Sequence, residues 1–177
     1  MRLLLLLGII TICFGCKNEN TSEMKPEIKE EKLDSLSKEK IKLELLKLSP
    51  QAEKDLESFE DFQNLRNIMH SLHSANAFYA NQYADSVDVL IGTFEENLSE
   101  DLNVNTINSR ITVLSTESGL LVQLSEKKKT KSEDILNANS RLIKAYNSLI
   151  IQLNELSLAI PENIEKELLR DQEDEEK

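Results

Sequence analysis

The apolar positions of this chain fall into stretches of distinct rhythm. Leu3 to Phe14 is an almost unbroken apolar run. After a polar interval, Leu33, Leu36, Ile41, Leu45 and Leu48 recur at spacings that predict a modest amphipathic helix over 32–48. Phe62, Leu65, Met69, Leu72, Tyr79, Tyr83, Val87, Leu90, Phe94 and Leu98 then follow in steps of three and four, with Asn76 filling the one gap. That is the seam of a packed helix. The phase survives across His73-Ser74-Ala75-Asn76, where neither Gly nor Pro occurs, so one long helix over about 50–98 is expected in preference to two hairpinned halves. Ser49 stands as its N-cap and Pro50 at its first helical position.

Asn97 to Asn105 reads as a connection, with Asn103 or Asn105 capping the next helix. That helix carries Ile107, Ile111, Leu114, Leu121 and Leu124 on one face and runs to about Lys128, where a lysine triplet suits its negative end. Ser132, Glu133 and Asp134 open a further helix with Ile135, Leu136, Leu142, Ile143, Tyr146, Leu149, Ile150, Leu153 and Leu156 on its apolar face. Ile160-Pro161 ends it. Short connections make neighbours antiparallel, so the expected fold is all-α, an antiparallel bundle of three long helices, or four. The tyrosines Tyr79, Tyr83 and Tyr146 lie on these seams and are expected in the core.

Composition narrows the picture. Gly (4) and Pro (3) are too scarce for the turns of a sandwich or barrel. Lys and Arg number 21 against 32 Asp and Glu, a net charge of −11. Nucleic acid is therefore not an expected partner, because phosphate binding needs a basic footprint. Acids and bases balance over residues 17–49, so the acidity belongs to the body and to an acidic tail over 161–177.

The N-terminal run changes the expected location. It is too short to cross roughly 30 Å of hydrocarbon as a helix and has the flanks of a signal peptide. It ends at Gly15-Cys16, after which the chain turns polar. Residues Ile12 to Cys16 resemble the lipobox of bacterial lipoproteins, with Cys13 and Phe14 departing from its usual residues. The resemblance implies that residues 1–15 are a signal peptide, cut before Cys16, whose thiol is acylated. Two or more acyl chains, at ~0.8 kcal/mol per buried CH₂, anchor stably where one does not. On this reading residues 16–49 are a lipidated cysteine and charged tether with a short helix, 50–160 the bundle and 161–177 the tail. Cys13 leaves with the signal, and no disulfide forms in the mature chain.

The layout is similar to that of small helical envelope lipoproteins of Bacteroidota. It implies a lipid-anchored place in the cell envelope, foremost the outer membrane facing the periplasm. Lys17-Asn18-Glu19 resembles segments that send some such lipoproteins to the cell surface, which is the alternative. The resemblance implies no activity.

Candidate chemistry is sparse. His70 and His73 sit three apart and form the one candidate metal pair, although polar-face residues are the favoured reading. A ferritin-like di-iron site would need Glu-x-x-His motifs that 67–73 lack. No catalytic residue and no cofactor is expected, for the chain has neither a phosphate loop nor a nucleophile elbow. The expected role is a non-enzymatic binding or scaffolding module, partnered by the membrane through its anchor and by a protein or a second copy through a helix face. The alternatives are a small-ligand or metal-ion carrier with a cleft near His70 and His73, and a dimeric coiled-coil-like spacer.

Overall fold

The computed structural model describes residues 33–158. Cys16, the expected signal sequence, the acidic tail and the expected stop at Ile160-Pro161 lie outside the described residues. Within them every regular element is a helix: α1 (Pro50–Asp55), α2 (Glu60–Ser74), α3 (Ala77–Glu96), α4 (Asn105–Ser125) and α5 (Ser132–Leu158). The protein is an all-α bundle, with four long helices and one short one. The longest, α5, packs against all the others.

Side-chain pairs fix the directions. Asn97 Nδ2 donates to Asp61 Oδ2 at 2.8 Å, joining the end of α3 to the start of α2. Ser118 Oγ donates to Asp88 across α3 and α4, and Arg141 Nε meets Glu117 at 2.9 Å across α4 and α5. Asn139 Nδ2 reaches Leu72 O at 2.8 Å, so α2 runs antiparallel to α5. The four long helices alternate up and down, as the short connections require.

The long helix expected over 50–98 is three helices. Ser49 caps α1 as expected, its Oγ accepting from Ala52 N–H, with Pro50 in the first turn. The chain then turns through Leu56–Phe59, and Gln63 Nε2 donates to the Leu56 carbonyl. The second break is at Ala75-Asn76, where both residues take extended backbone. Asn76 does not fill a gap in a continuous seam; it is the N-cap of α3, its Oδ1 accepting from Tyr79 N–H at 3.1 Å. A carboxamide that satisfies the first turn of a new helix stabilises the break. Asn139 adds to this by donating to a carbonyl at the end of α2.

That break shifts the phase of α3. Its buried face is Ala77, Ala80, Ala84, Val87, Ile91 and Phe94. Tyr79 and Tyr83 are 46% and 37% exposed, contrary to their expected place in the core, whereas Tyr146 is buried. Alanines let the helices approach closely, and the tyrosine rings lie outside that contact. In α4 the expected face is buried except Leu124, and the gap between Leu114 and Leu121 is filled by Ser118. Val104, rather than an asparagine, occupies the N-cap of α4, which ends at Ser125, short of the expected Lys128. In α5 the expected apolar face is buried apart from the half-buried Leu156.

Residues 33–49 are not helical. They form a strap laid along the bundle, with Leu33, Ile41, Leu43, Leu45 and Leu48 packed against the core. Ile41, Leu43 and Leu45 are half-buried while Lys40, Lys42 and Glu44 are exposed, the two-residue alternation of an extended chain. An extended segment with no neighbouring strand needs other partners for its backbone. Asparagines supply them. Asn147 Oδ1 accepts from Leu46 N–H at 2.9 Å while its Nδ2 donates to Glu44 O at 2.8 Å. Asn154 repeats the device one heptad later, accepting from Ser49 N–H at 2.7 Å and donating to Lys47 O at 3.2 Å. Asn76 Nδ2 donates to Ser35 O and Ser37 O at 3.0 and 2.8 Å. The strap therefore runs parallel to α5.

Replacing Asn147 and Asn154 together by alanine removes four of these bonds. Each contributes about 0.5–1.5 kcal/mol, less where water replaces it. Limited trypsin digestion should then cut after Lys40, Lys42 and Lys47 roughly tenfold faster, through easier local opening of the strap. An unchanged cutting rate would mean that the leucines hold the strap without help.

Candidate functional site

The strap does not seal the groove beneath it completely. Between the strap and α1, α2 and α5 lies a cleft of about 280 Å³. Leu46, Leu48 and Ile150 form its apolar wall, and Lys47, Glu53, Arg66, His70 and Tyr146 its polar side. Each is placed by the local fold. Arg66 and His70 stand one helical turn apart on α2, Tyr146 and Ile150 one turn apart on α5, and Glu53 lies in the first turn of α1.

Arg66 Nη1 pairs with Glu53 Oε1 at 2.5 Å, which ties α1 to α2 across the mouth. Both side chains are partly exposed, so the pair contributes little to stability and mainly orients the guanidinium. Tyr146 is only 1% exposed. Burial pushes its hydroxyl well above the ordinary tyrosine range, opposed by the charge of Arg66 and reinforced by that of Glu53. The phenol is therefore a neutral hydrogen-bond donor at any physiological pH. Four donor-bearing side chains, Lys47, Arg66, His70 and Tyr146, and one carboxylate line a partly apolar cleft.

The structure separates the two histidines. His70 is exposed and lines the cleft. His73 is half-buried, with Nε2 2.7 Å from the carbonyl oxygen of Leu43. A carbonyl only accepts, so Nε2 carries the proton and His73 serves as a further clamp on the strap. That nitrogen has no lone pair for a metal. Among the described residues no group of three or more His, Cys, Asp or Glu side chains is arranged to hold a metal ion. No described helix is long and apolar enough to cross a membrane.

Sequence reasoning reached His70 but not Arg66, Glu53 or the role of Tyr146, which read as an ordinary seam residue. The signal that was present is the pair Asn147 and Asn154, seven apart on the border of an apolar face. Carboxamides at heptad spacing beside a leucine seam are suited to gripping a second chain. Compared with protein-family models, curated proteins and solved structures, the chain matches none.

Proposed function

We propose that this is a lipid-anchored protein of the bacterial cell envelope, whose helical body is a non-enzymatic binding and scaffolding module. Cys16, after the apolar run and Gly15, is the acylated residue. The observation that carries the reading is the direction of the strap. Because it runs parallel to α5, the first described residues of the strap, those nearest Cys16 in sequence, lie at the end of the bundle where α5 starts. At that same end the α4–α5 loop exposes Lys127, Lys128, Lys129 and Lys131, flanked by the exposed acids Glu126, Glu133 and Asp134. Glu57, Glu60, Glu95, Glu96, Glu100 and Asp101 are exposed toward the opposite end.

A body tethered in this way turns the lysines of the α4–α5 loop toward the headgroups and the acids of the α3–α4 and α1–α2 connections away from them. Each lysine near an anionic surface contributes about 1 kcal/mol, within a Debye length of ~8 Å at physiological salt. The bundle is then held upright with its distal faces open to partners. Cys16→Ala is expected to move the protein from the membrane fraction to the soluble fraction of fractionated cells. Unchanged partitioning would discard the anchor.

A second reading, a small-ligand carrier, is favoured by the cleft at Arg66, His70 and Tyr146. It is compatible with the anchor, since a tethered body can carry a ligand site. The metal-ion form of that reading loses support, because His73 is engaged by Leu43.

A further inference from the structure

We propose that the cleft binds a small aliphatic carboxylate, its oxygens held by the Tyr146 hydroxyl and the Arg66 guanidinium and its tail against Leu46, Leu48 and Ile150. The inference deepens the carrier reading and rests on it, and it is independent of the anchor.

The Tyr146 side chain is almost wholly buried, yet among the described residues its hydroxyl has no hydrogen-bond partner. A buried phenol normally finds a partner, and an unmade bond there carries a desolvation cost. Among the described residues the one side-chain polar atom both sealed and unpartnered is Asn139 Oδ1. The Tyr146 hydroxyl is therefore not sealed, and the opening that Tyr146 lines is the cleft. Arg66 is close enough to act electrostatically on that hydroxyl, and its bond to Glu53 engages only one of its three nitrogens. Lys47 and His70 complete a lining in which donors outnumber acceptors.

This imbalance selects the ligand. A cation would face Arg66 and Lys47, with only an already paired Glu53 to offset them. A bare inorganic anion would leave the three apolar side chains wet. A carboxylate presents two acceptor oxygens to a planar donor and a hydroxyl, the arrangement for which guanidinium is best suited. The remaining space, within about 280 Å³, accepts a short hydrocarbon tail.

The test uses the full chain carrying Cys16→Ala, which removes the acylation site, kept in solution with a non-ionic detergent free of carboxylate if required, and octanoate, octanol, octylammonium and inorganic phosphate as probes. Calorimetry and the ring resonances of Tyr146 are followed. Octanoate is expected to bind saturably and shift those resonances, with octanol at least tenfold weaker and the other two silent. Tyr146→Phe, which keeps the ring and its packing, is expected to weaken octanoate about tenfold, and Arg66→Gln by more. Octanoate binding equally well to both variants would overturn the proposal, as would phosphate competing with it on equal terms. If octanol or octylammonium shifts Tyr146 and octanoate does not, the carrier reading stands and the carboxylate assignment falls. If no probe shifts Tyr146, both fall. The resonance readout on the unsubstituted cleft decides the matter even if a variant fails to fold.

Discussion

Phe94→Ala is expected to destabilise the bundle by about 3–5 kcal/mol, the range for a large aromatic truncated in a packed core. Phe94 has no exposed surface, and its ring lies 5.5 Å from that of Phe59 and 5.9 Å from that of Phe62, centre to centre. These rings join the lower ends of α2 and α3 to the turn that precedes α2. Removing one leaves a cavity bordered by two others that are fixed on different elements, so little collapse can fill it. Domains of this size are stable by only about 5–15 kcal/mol in total. The urea midpoint should therefore fall sharply with little change in slope. Phe94→Leu, which keeps most of the volume, should cost under about 1.5 kcal/mol. Equal losses for the two variants would mean that the aromatic cluster is not what closes this end.

Asn76→Ala should have the next largest effect, about 2–4 kcal/mol. Three bonds meet in one buried side chain: the cap on Tyr79 N–H and the two donations to Ser35 and Ser37 carbonyls. Losing a cap costs about 0.5–2 kcal/mol, and each bond to the strap about 0.5–1.5 kcal/mol. Asn76→Ser separates these contributions, because serine caps a helix but cannot reach two carbonyls. It should recover roughly half of the loss in chemical denaturation. Full recovery would show that the strap attachment contributes nothing there.

Much of the fold was legible because the chain marks it with large residues at fixed steps. The α4 face from Ile107 to Leu121 and the α5 face from Ile135 to Leu153 were read almost residue for residue. Ser49-Pro50 marked the start of α1 for a local reason, side-chain capping and a preset φ, that no tertiary contact overrides. The break at Asn76 was hidden because two seams compete in α3. One runs Asn76, Tyr79, Tyr83, Val87 and the other Ala77, Ala80, Ala84, Val87. They differ by one position and meet at Val87, and weighting by size selects the tyrosines. Close approach of helices selects the alanines instead.

The strap was misread for a related reason. Five leucine and isoleucine positions between 33 and 48 fit helical spacing loosely, and Ile41-Lys42-Leu43-Glu44-Leu45 also fits strict alternation. What decides between them is the carboxamide partners on α2–α3 and α5, more than thirty residues away in sequence at the nearest. The cleft depends on the same contacts. Arg66, Glu53 and Tyr146 form a site only once the strap and α1 are folded back over α2 and α5. No local pattern among those residues announces it.

The parallel course of strap and α5 has a mechanical consequence. Tension entering through the N-terminal chain along the bundle axis would load the attachments at Asn76, His73, Asn147 and Asn154 together, in shear. The same tension applied sideways would peel them one at a time, Asn76 first and Asn154 last. The body thus resists being drawn away along its own axis and yields when tilted. A chain fixed at one end gains from this a direction-dependent grip, and the last attachments to part, those at Asn147 and Asn154, are the ones that flank the cleft.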